Sequence, residues 1–262
     1  MNKKVSRGFR SIPLSMNRKM LIASIAVNKR SAIHSLTEID VTEPRRAIRE
    51  FHENGGTRIS FTAYLVHCLA RTLKNHPEFN AFIRRGRLIL LDDITVSVLV
   101  ERDLGDERIP EPLAIQAAQD KSLLEIHEEI RFAQSKKSKQ LGDLSGSAWI
   151  RLIPGFLLKS FVRIADRNIH MAKRYGKVAV TAVGMFSKTD TWFIPHGTAT
   201  ILLTVGSISK KQVWRENQFE AREMLHLTAS FDHEIVDGAP AARFLKEFSE
   251  LVERGSEIPD LL

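Results

Sequence analysis

The chain has 262 residues, of which 43% are hydrophobic and 27% charged, and its formal net charge is +8. This hydrophobic content can fill a sizeable core and excludes a disordered protein, while the single cysteine, Cys68, excludes a disulfide framework and suits a reducing compartment, so we expect a cytoplasmic protein. The positive charge permits contact with anions, but no zinc-finger spacing or other nucleic-acid-binding motif accompanies it, and we predict no nucleic-acid partner.

The N-terminal half alternates helical and extended patterns. Residues 1–11 are basic and polar and predict a flexible arm, and one domain is expected over 12–262. Apolar residues recur at helical spacing in some segments and alternate in others. The predicted elements, in chain order, are helix 18–26, strand 35–41, a helix capped by Thr42, helix 61–76, strands 88–91, 94–100 and 108–117, and helix 123–134.

A polar linker at 135–147 leads into an unusual basic segment at 148–176. The segment mixes large apolar residues with arginines and lysines and is interrupted at Pro154-Gly155, so it predicts a broken, basic amphipathic helix. We interpret it as a helical cap on this domain or on a neighbouring subunit. A helix that contacts a membrane surface or a partner protein is the alternative.

The C-terminal third predicts a strand, a turn and a long helix. Strands at 178–186 and 200–207 and a hairpin at 210–222 come first, and residues 225–232 then alternate apolar and polar side chains. Asp237 is a suitable N-cap for the helix that follows, Pro240 suits its first turn, and Gly255 is a plausible stop.

His233 stands between this strand and this helix, where a rigid scaffold can hold a reactive side chain in a cleft. An imidazole has an unperturbed pKa of about 6.5 and can act as a general base at neutral pH. A half-buried histidine with only a structural role is the alternative. The pattern His-x-x-x-Asp-Gly by itself does not decide between them.

The longer string at 231–245, FDHEIVDGAPAARFL, resembles the signature of the dihydrolipoamide acyltransferases, the acyltransferase catalytic domains of 2-oxoacid dehydrogenase complexes. Chloramphenicol acetyltransferase shares that fold and a related motif. Further segments resemble family motifs in family order; they begin at Ile12, Asp40, His76, Val178 and Thr200. The resemblance implies a chloramphenicol acetyltransferase-like α/β two-layer sandwich, with a mixed sheet and helices on one side. It also implies a homotrimer with each active site between two subunits, and it makes 148–176 an insertion.

The resemblance also implies a mechanism. His233 would take the proton from a thiol of coenzyme A or of a dihydrolipoyl group, and this thiol would attack an acyl thioester. An amine or hydroxyl acceptor, as in the antibiotic-acetylating relatives, is the alternative. The Thr181 hydroxyl would stabilise the oxyanion across the subunit boundary, and Asp237 would cap its helix and orient the turn. Acyl-coenzyme A is the expected substrate, any lipoyl group would come from a separate carrier protein, and no metal is expected.

A catalytically inactive trimer that serves as a scaffold or regulator is the alternative function. Four positions depart from the family pattern: Glu234 replaces the usual arginine, Ala182 an asparagine, and Ala23 and Ser24 a Lys-Arg pair. His233, Asp237 and a hydroxyl at position 181 are retained, and they favour the enzyme.

Overall fold

The computed structural model describes residues 16–27, 31–103, 108–135, 155–184, 187, 189–255 and 258. The predicted arm at 1–11, the linker at 136–147 and the first part of the predicted insertion, 148–154, lie outside the described residues.

A six-stranded mixed sheet forms the centre of the domain. Its strands are β1 (Ala32–Asp40), β4 (Val96–Asp103), β5 (Arg108–Ile115), β6 (Val178–Ala182), β7 (Ile201–Arg215) and β8 (Gln218–Asp232). The spatial order is β1-β8-β7-β6-β4-β5, in which β6 runs parallel to both β4 and β7 and the other pairs are antiparallel. A separate hairpin joins β2 (Ala81–Arg84) to β3 (Arg87–Leu90).

Helices cover one face of this sheet. The helices are α1 (Met16–Val27), α2 (Thr42–Glu53), α3 (Phe61–Lys74), α4 (Leu123–Ser135), α5 (Gly155–Asp166), α6 (Ile169–Tyr175) and α7 (Gly238–Arg254). The main core lies between the sheet and α2, α3, α4 and α7, because the apolar side of each strand and the apolar stripe of each helix are both removed from water there. This arrangement confirms the predicted two-layer sandwich.

The start of α2 differs from the prediction. The N-cap is Val41, one residue before the predicted cap. The Thr42 hydroxyl instead donates to Asp40 Oδ1 at 2.7 Å and accepts from the Glu223 N–H at 2.8 Å. Because these partners lie on β1 and β8, the Thr42 side chain ties the helix to the sheet.

The other face of the sheet carries a strap, defined here as residues 189–199, which contain no helix or strand. The strap is fastened at Trp192, whose Nε1–H donates to the Thr37 carbonyl at 3.2 Å, and at Thr191, whose N–H donates to Ser207 Oγ at 2.9 Å. A Cβ on Gly206 would lie 2.3 Å from the Thr191 carbonyl oxygen, so this glycine permits the close approach of the strap. The strap lies over the sheet on the side away from the core.

No helix in the described residues is long and apolar enough to cross a bilayer.

Candidate functional site

The His233 turn is held by the backbone at both sides. The His233 N–H donates to the Ser31 carbonyl at 2.8 Å, which ties the turn to the chain just before β1. The Asp232 carbonyl accepts from Ile235 and Val236 at 3.0 and 2.9 Å, and Asp232 Oδ1 accepts from the Glu234 N–H at 3.1 Å. The predicted strand, turn and helix are confirmed here, and the turn has a fixed backbone.

The imidazole of His233 is oriented by one hydrogen bond. Its Nδ1 lies 3.0 Å from the carbonyl oxygen of Val236, which can only accept, so Nδ1 carries the hydrogen. In the neutral ring Nε2 is then unprotonated and free to accept a proton. The side chain is 44% exposed, so a substrate can reach it.

Asp237 occupies the predicted N-cap position of α7, with extended backbone angles of −85° and 165°. Its carboxylate, however, makes no capping hydrogen bond, so the expected capping by this side chain is wrong. The side chain is 85% exposed, and Oδ1 lies 3.8 Å from His233 Nδ1. At this distance the carboxylate makes no hydrogen bond to the imidazole, and the ring is oriented by the Val236 carbonyl.

Thr181 lies on the face of the sheet that points away from the helices. Its neighbour Val180 is in the core, and successive side chains of a strand alternate between faces. Thr181 pairs with Thr204 on β7, which pairs with Thr228 on β8, so three threonines form a row across the sheet. Thr204 and Thr228 are buried, whereas Thr181 is half-buried, and its hydroxyl makes no hydrogen bond to another described residue.

One chain does not bring Thr181 and His233 together. Thr181 is level with Thr228 on β8, and His233 directly follows this strand, five residues beyond Thr228, a distance of about 16 Å at the usual rise. Strands β6 and β8 are separated by two inter-strand spacings, which add about 10 Å across the sheet. The direct separation is therefore about 19 Å, too far for one carbonyl group to contact both side chains.

A small cavity beside the His233 turn was not predicted. It has a volume of about 150 Å³ and is lined by strap residues together with His34, Ser230 and Asp232. His34 Nδ1 lies 2.8 Å from Ser230 Oγ. The alternation of β1 and β8 places both side chains on the strap face, but nothing in the sequence of the strap indicated that it would cover them.

The strap is also fixed by charges. Lys211 Nζ lies 2.6 Å from Glu38 Oε1 and 3.2 Å from Asp190 Oδ2, and the hydrogen bond to Glu38 is the main reason that the pKa of Lys211 is raised. Beneath this pair His226 is fully buried, with its ring 4.2 Å from that of Trp192. Among the described residues no group of three histidine, cysteine or acidic side chains is placed to hold a metal ion.

Solved structures share this fold. A dihydrolipoamide acetyltransferase of Azotobacter vinelandii, studied for the roles of a serine, a histidine and an asparagine in its catalytic mechanism, superposes with a TM-score of 0.72 at 20% identity, over 96% of this chain and 94% of that one. A probable dihydrolipoamide acetyltransferase of Listeria monocytogenes gives 0.69 at 22% identity, over 94% and 95%.

Similar curated sequences are also acyltransferase components of 2-oxoacid dehydrogenase complexes. The lipoamide acyltransferase component of the branched-chain α-keto acid dehydrogenase complex of Bacillus subtilis is 25% identical over 94% of this chain and 53% of its own length. The succinyltransferase component of the 2-oxoglutarate dehydrogenase complex of Staphylococcus saprophyticus is 24% identical over 88% and 49%. The chain thus spans about half the length of these relatives.

The family model for the 2-oxoacid dehydrogenases acyltransferase (catalytic domain) matches residues 6–148 and 169–259 and omits 149–168. The matched segments contain β6 with Thr181 and the whole strand, turn and helix around His233. The chain therefore belongs to the family of 2-oxoacid dehydrogenase acyltransferase catalytic domains.

Proposed function

We propose that this protein transfers an acyl group between two thiols, one on coenzyme A and the other on a dihydrolipoyl group, with His233 as the general base. The observation that carries the proposal is the hydrogen bond from His233 Nδ1 to the Val236 carbonyl. It leaves Nε2 as the basic nitrogen of an exposed imidazole on a rigid turn, which is what proton removal from a thiol requires.

In the proposed reaction His233 Nε2 takes the proton of the attacking thiol as its sulfur bonds to the thioester carbonyl carbon. The carbonyl oxygen becomes an oxyanion in the tetrahedral intermediate. The intermediate then collapses, the bond to the original sulfur breaks, and the leaving thiolate takes the proton back from His233. The exchange needs neither an oxidant nor a metal ion, and it runs in both directions.

Thr181 is the proposed donor to the oxyanion, and it comes from a neighbouring protomer. Its hydroxyl lies on the face away from the helices and has no hydrogen-bond partner among the described residues, so it is available to a substrate. Because a single chain separates Thr181 from His233 by about 19 Å, the site requires a second copy. We propose the trimer that the family resemblance implies, with one site at each subunit boundary.

The first test compares His233→Ala with the wild-type protein in a thioester exchange assay between acetyl-coenzyme A and free dihydrolipoamide. Loss of the general base should lower kcat by roughly 10²- to 10⁴-fold. Thr181→Val removes the hydroxyl at nearly constant volume and should lower kcat by roughly 10²- to 10³-fold. His52→Ala, which removes an exposed histidine on α2, is the matched control and should leave the rate unchanged. A His233→Ala protein with the wild-type rate would disprove the mechanism.

An inactive scaffold or regulatory trimer is the second candidate function. Glu234 favours it, because this exposed residue places a carboxylate next to His233, where the family pattern has arginine. Titration calorimetry with acetyl-coenzyme A separates the two candidates. Saturable heat, together with exchange activity, supports the enzyme, whereas no heat at high ligand concentration supports the scaffold.

A further inference from the structure

Helices α5 and α6 carry a basic face, defined here as Lys159, Arg163, Arg167, Lys173 and Arg174. All five side chains are exposed. Those of α5 and the short connection after it follow at intervals of four residues, so they lie along one side of the helix. None of these residues belongs to the proposed acyl-transfer site. Three of them, Lys159, Arg163 and Arg167, fall in the stretch 149–168 that the family model leaves unmatched.

No acidic side chain of the same stretch of sequence neutralises the charges of the basic face. Asp166 is the one acidic residue in the sequence from 149 to 180. It is already paired, because Lys177 Nζ lies 2.8 Å from Asp166 Oδ1 and both side chains are largely buried. None of the five residues of the basic face forms an ion pair with a described residue. Asp92 and Asp93 lie across a groove from Lys173 and Arg174 and mark the edge of the face.

Exposed aliphatic side chains accompany the charges. Ile164, which lies next to Arg163 on α5, is 69% exposed. Helix α1 packs on α5 and exposes Leu21, Ile22 and Ile25, which follow at helical spacing and are each more than 40% exposed. The aliphatic side chains and the cations thus lie on two helices that pack together. Exposed aliphatic and cationic side chains in combination suit a membrane interface, where the apolar groups enter the acyl chains and the cations stay at the headgroups.

The β2–β3 hairpin extends this composition. It packs against α6 through Phe82, Ile89 and Ala172. Its outer side exposes Arg85 and Arg87 together with Leu88 and Leu90. Cations interspersed with single aliphatic side chains over several elements fit a planar anionic surface better than one concave protein partner, which would call for a contiguous apolar patch with a polar rim.

We propose that this part of the molecule, formed by α1, α5, α6 and the β2–β3 hairpin, binds the surface of an anionic phospholipid bilayer. The basic face contacts the lipid phosphates, and Ile164 and the exposed side chains of α1 enter the interface. The protein lies on the membrane and does not span it. The binding is independent of the proposed acyl transfer.

The test is co-sedimentation of the full chain with vesicles of phosphatidylcholine alone or of phosphatidylcholine mixed with phosphatidylglycerol. The wild-type protein should sediment with the mixed vesicles, and high salt should release it because salt screens surface charges. Each cation near an anionic surface strengthens binding roughly fivefold, so neutralising three would weaken the partition coefficient on the order of 10²-fold, and reversing their charge should weaken it by at least this much. The test variant is Lys159→Glu/Arg163→Glu/Arg167→Glu.

The matched control reverses the same number of charges on α7, where Arg243, Lys246 and Arg254 are exposed. Arg243→Glu/Lys246→Glu/Arg254→Glu has the same net charge as the test variant and should keep most of the binding. Ile164→Ser should weaken binding without changing net charge. Circular dichroism and thermal unfolding establish that each variant is folded.

Three outcomes would overturn the proposal. They are no sedimentation of the wild-type protein with the mixed vesicles, equal sedimentation with both kinds of vesicle, and equal losses in the test and control variants. The first of these would leave the basic face as a surface for an acidic protein. Exchange activity measured on the same preparations keeps the two proposals apart, because membrane binding and acyl transfer can each be lost without the other.

Discussion

Mixing a His233→Ala chain with a Thr181→Ala chain should restore acyl transfer that neither chain has alone. In one chain the two side chains lie about 19 Å apart, with Thr181 level with Thr228 and His233 five residues beyond it. The proposed site must therefore take its histidine from one protomer and its threonine from the next. In a hybrid trimer some boundaries join the intact histidine of one variant to the intact threonine of the other.

The size of the effect follows from random assembly. Each protomer at a boundary is one of two variants, so about a quarter of the boundaries in an equal mixture have both side chains intact. The unfractionated mixture should therefore reach about a quarter of the wild-type rate. Hybrids freed of both homotrimers have one complete boundary in three and should reach about a third, while each parent remains at roughly 1% or below. The two chains are co-expressed with different affinity tags, hybrid trimers are isolated by purification on both tags in sequence, and thioester exchange is measured.

The control pairs the His233→Ala chain with a chain that carries both substitutions, and this mixture has no complete boundary. A mixture of the single variants that stays at the rate of its parents would refute the inter-subunit site, provided that both purification steps recover hybrids. Restoration in the control mixture would equally refute it, because activity would then not depend on these two side chains.

Three further predictions concern the sheet, helix α4 and the strap. Asp40 is buried and accepts a hydrogen bond from Arg222 Nε at 2.8 Å. Burial raises the pKa of Asp40, but hydrogen bonds from Thr42 and Arg222 outweigh burial, so the pKa is lowered overall. Asp40→Asn should therefore reduce the free energy of unfolding, measured by urea titration, by about 3 kcal/mol. Burial lowers the pKa of His127, so the unfolded chain binds the proton more readily, and stability should be full above pH of about 6.5 and fall below it. His127→Gln should flatten this part of the stability profile, and an unchanged slope would contradict the assignment. Gly206→Ala would place a methyl group against the backbone of the strap. It should lower the free energy of unfolding, measured by thermal unfolding, by about 1–3 kcal/mol. A wild-type Tm would show that the strap can move aside at little cost.

Local sequence determined the elements around the His233 turn. The alternation at 225–232, the helical spacing after Asp237 and the stop at Gly255, whose φ of +64° is left-handed, all reappear in the structure. These signals act within a few residues, and strand pleating, helix periodicity and backbone freedom each follow from local sterics. The turn could be located from the sequence for the same reason.

The start of α2 shows where local signals fail. A threonine before a helical stretch is a good cap by propensity, yet the Thr42 hydroxyl bonds to Asp40 and Glu223 and the cap falls on Val41. Asp237 takes the cap position without a capping bond. For Thr42 the hydrogen-bond partners decide the role of the side chain, and one of them, Glu223, is distant in sequence, whereas Asp237 holds the cap position through its backbone conformation alone.

The sequence by itself determined the family, the two-layer fold and the position of a histidine on a strand-to-helix turn, because these depend on periodic patterns and on short motifs. Only the tertiary structure decided that the strap covers the second face of the sheet and that the Val236 carbonyl orients the His233 ring. It also decided that Thr181 points away from the core at a distance from His233 that one chain cannot close. These features depend on contacts between separate segments, and such contacts leave no periodic trace in the sequence.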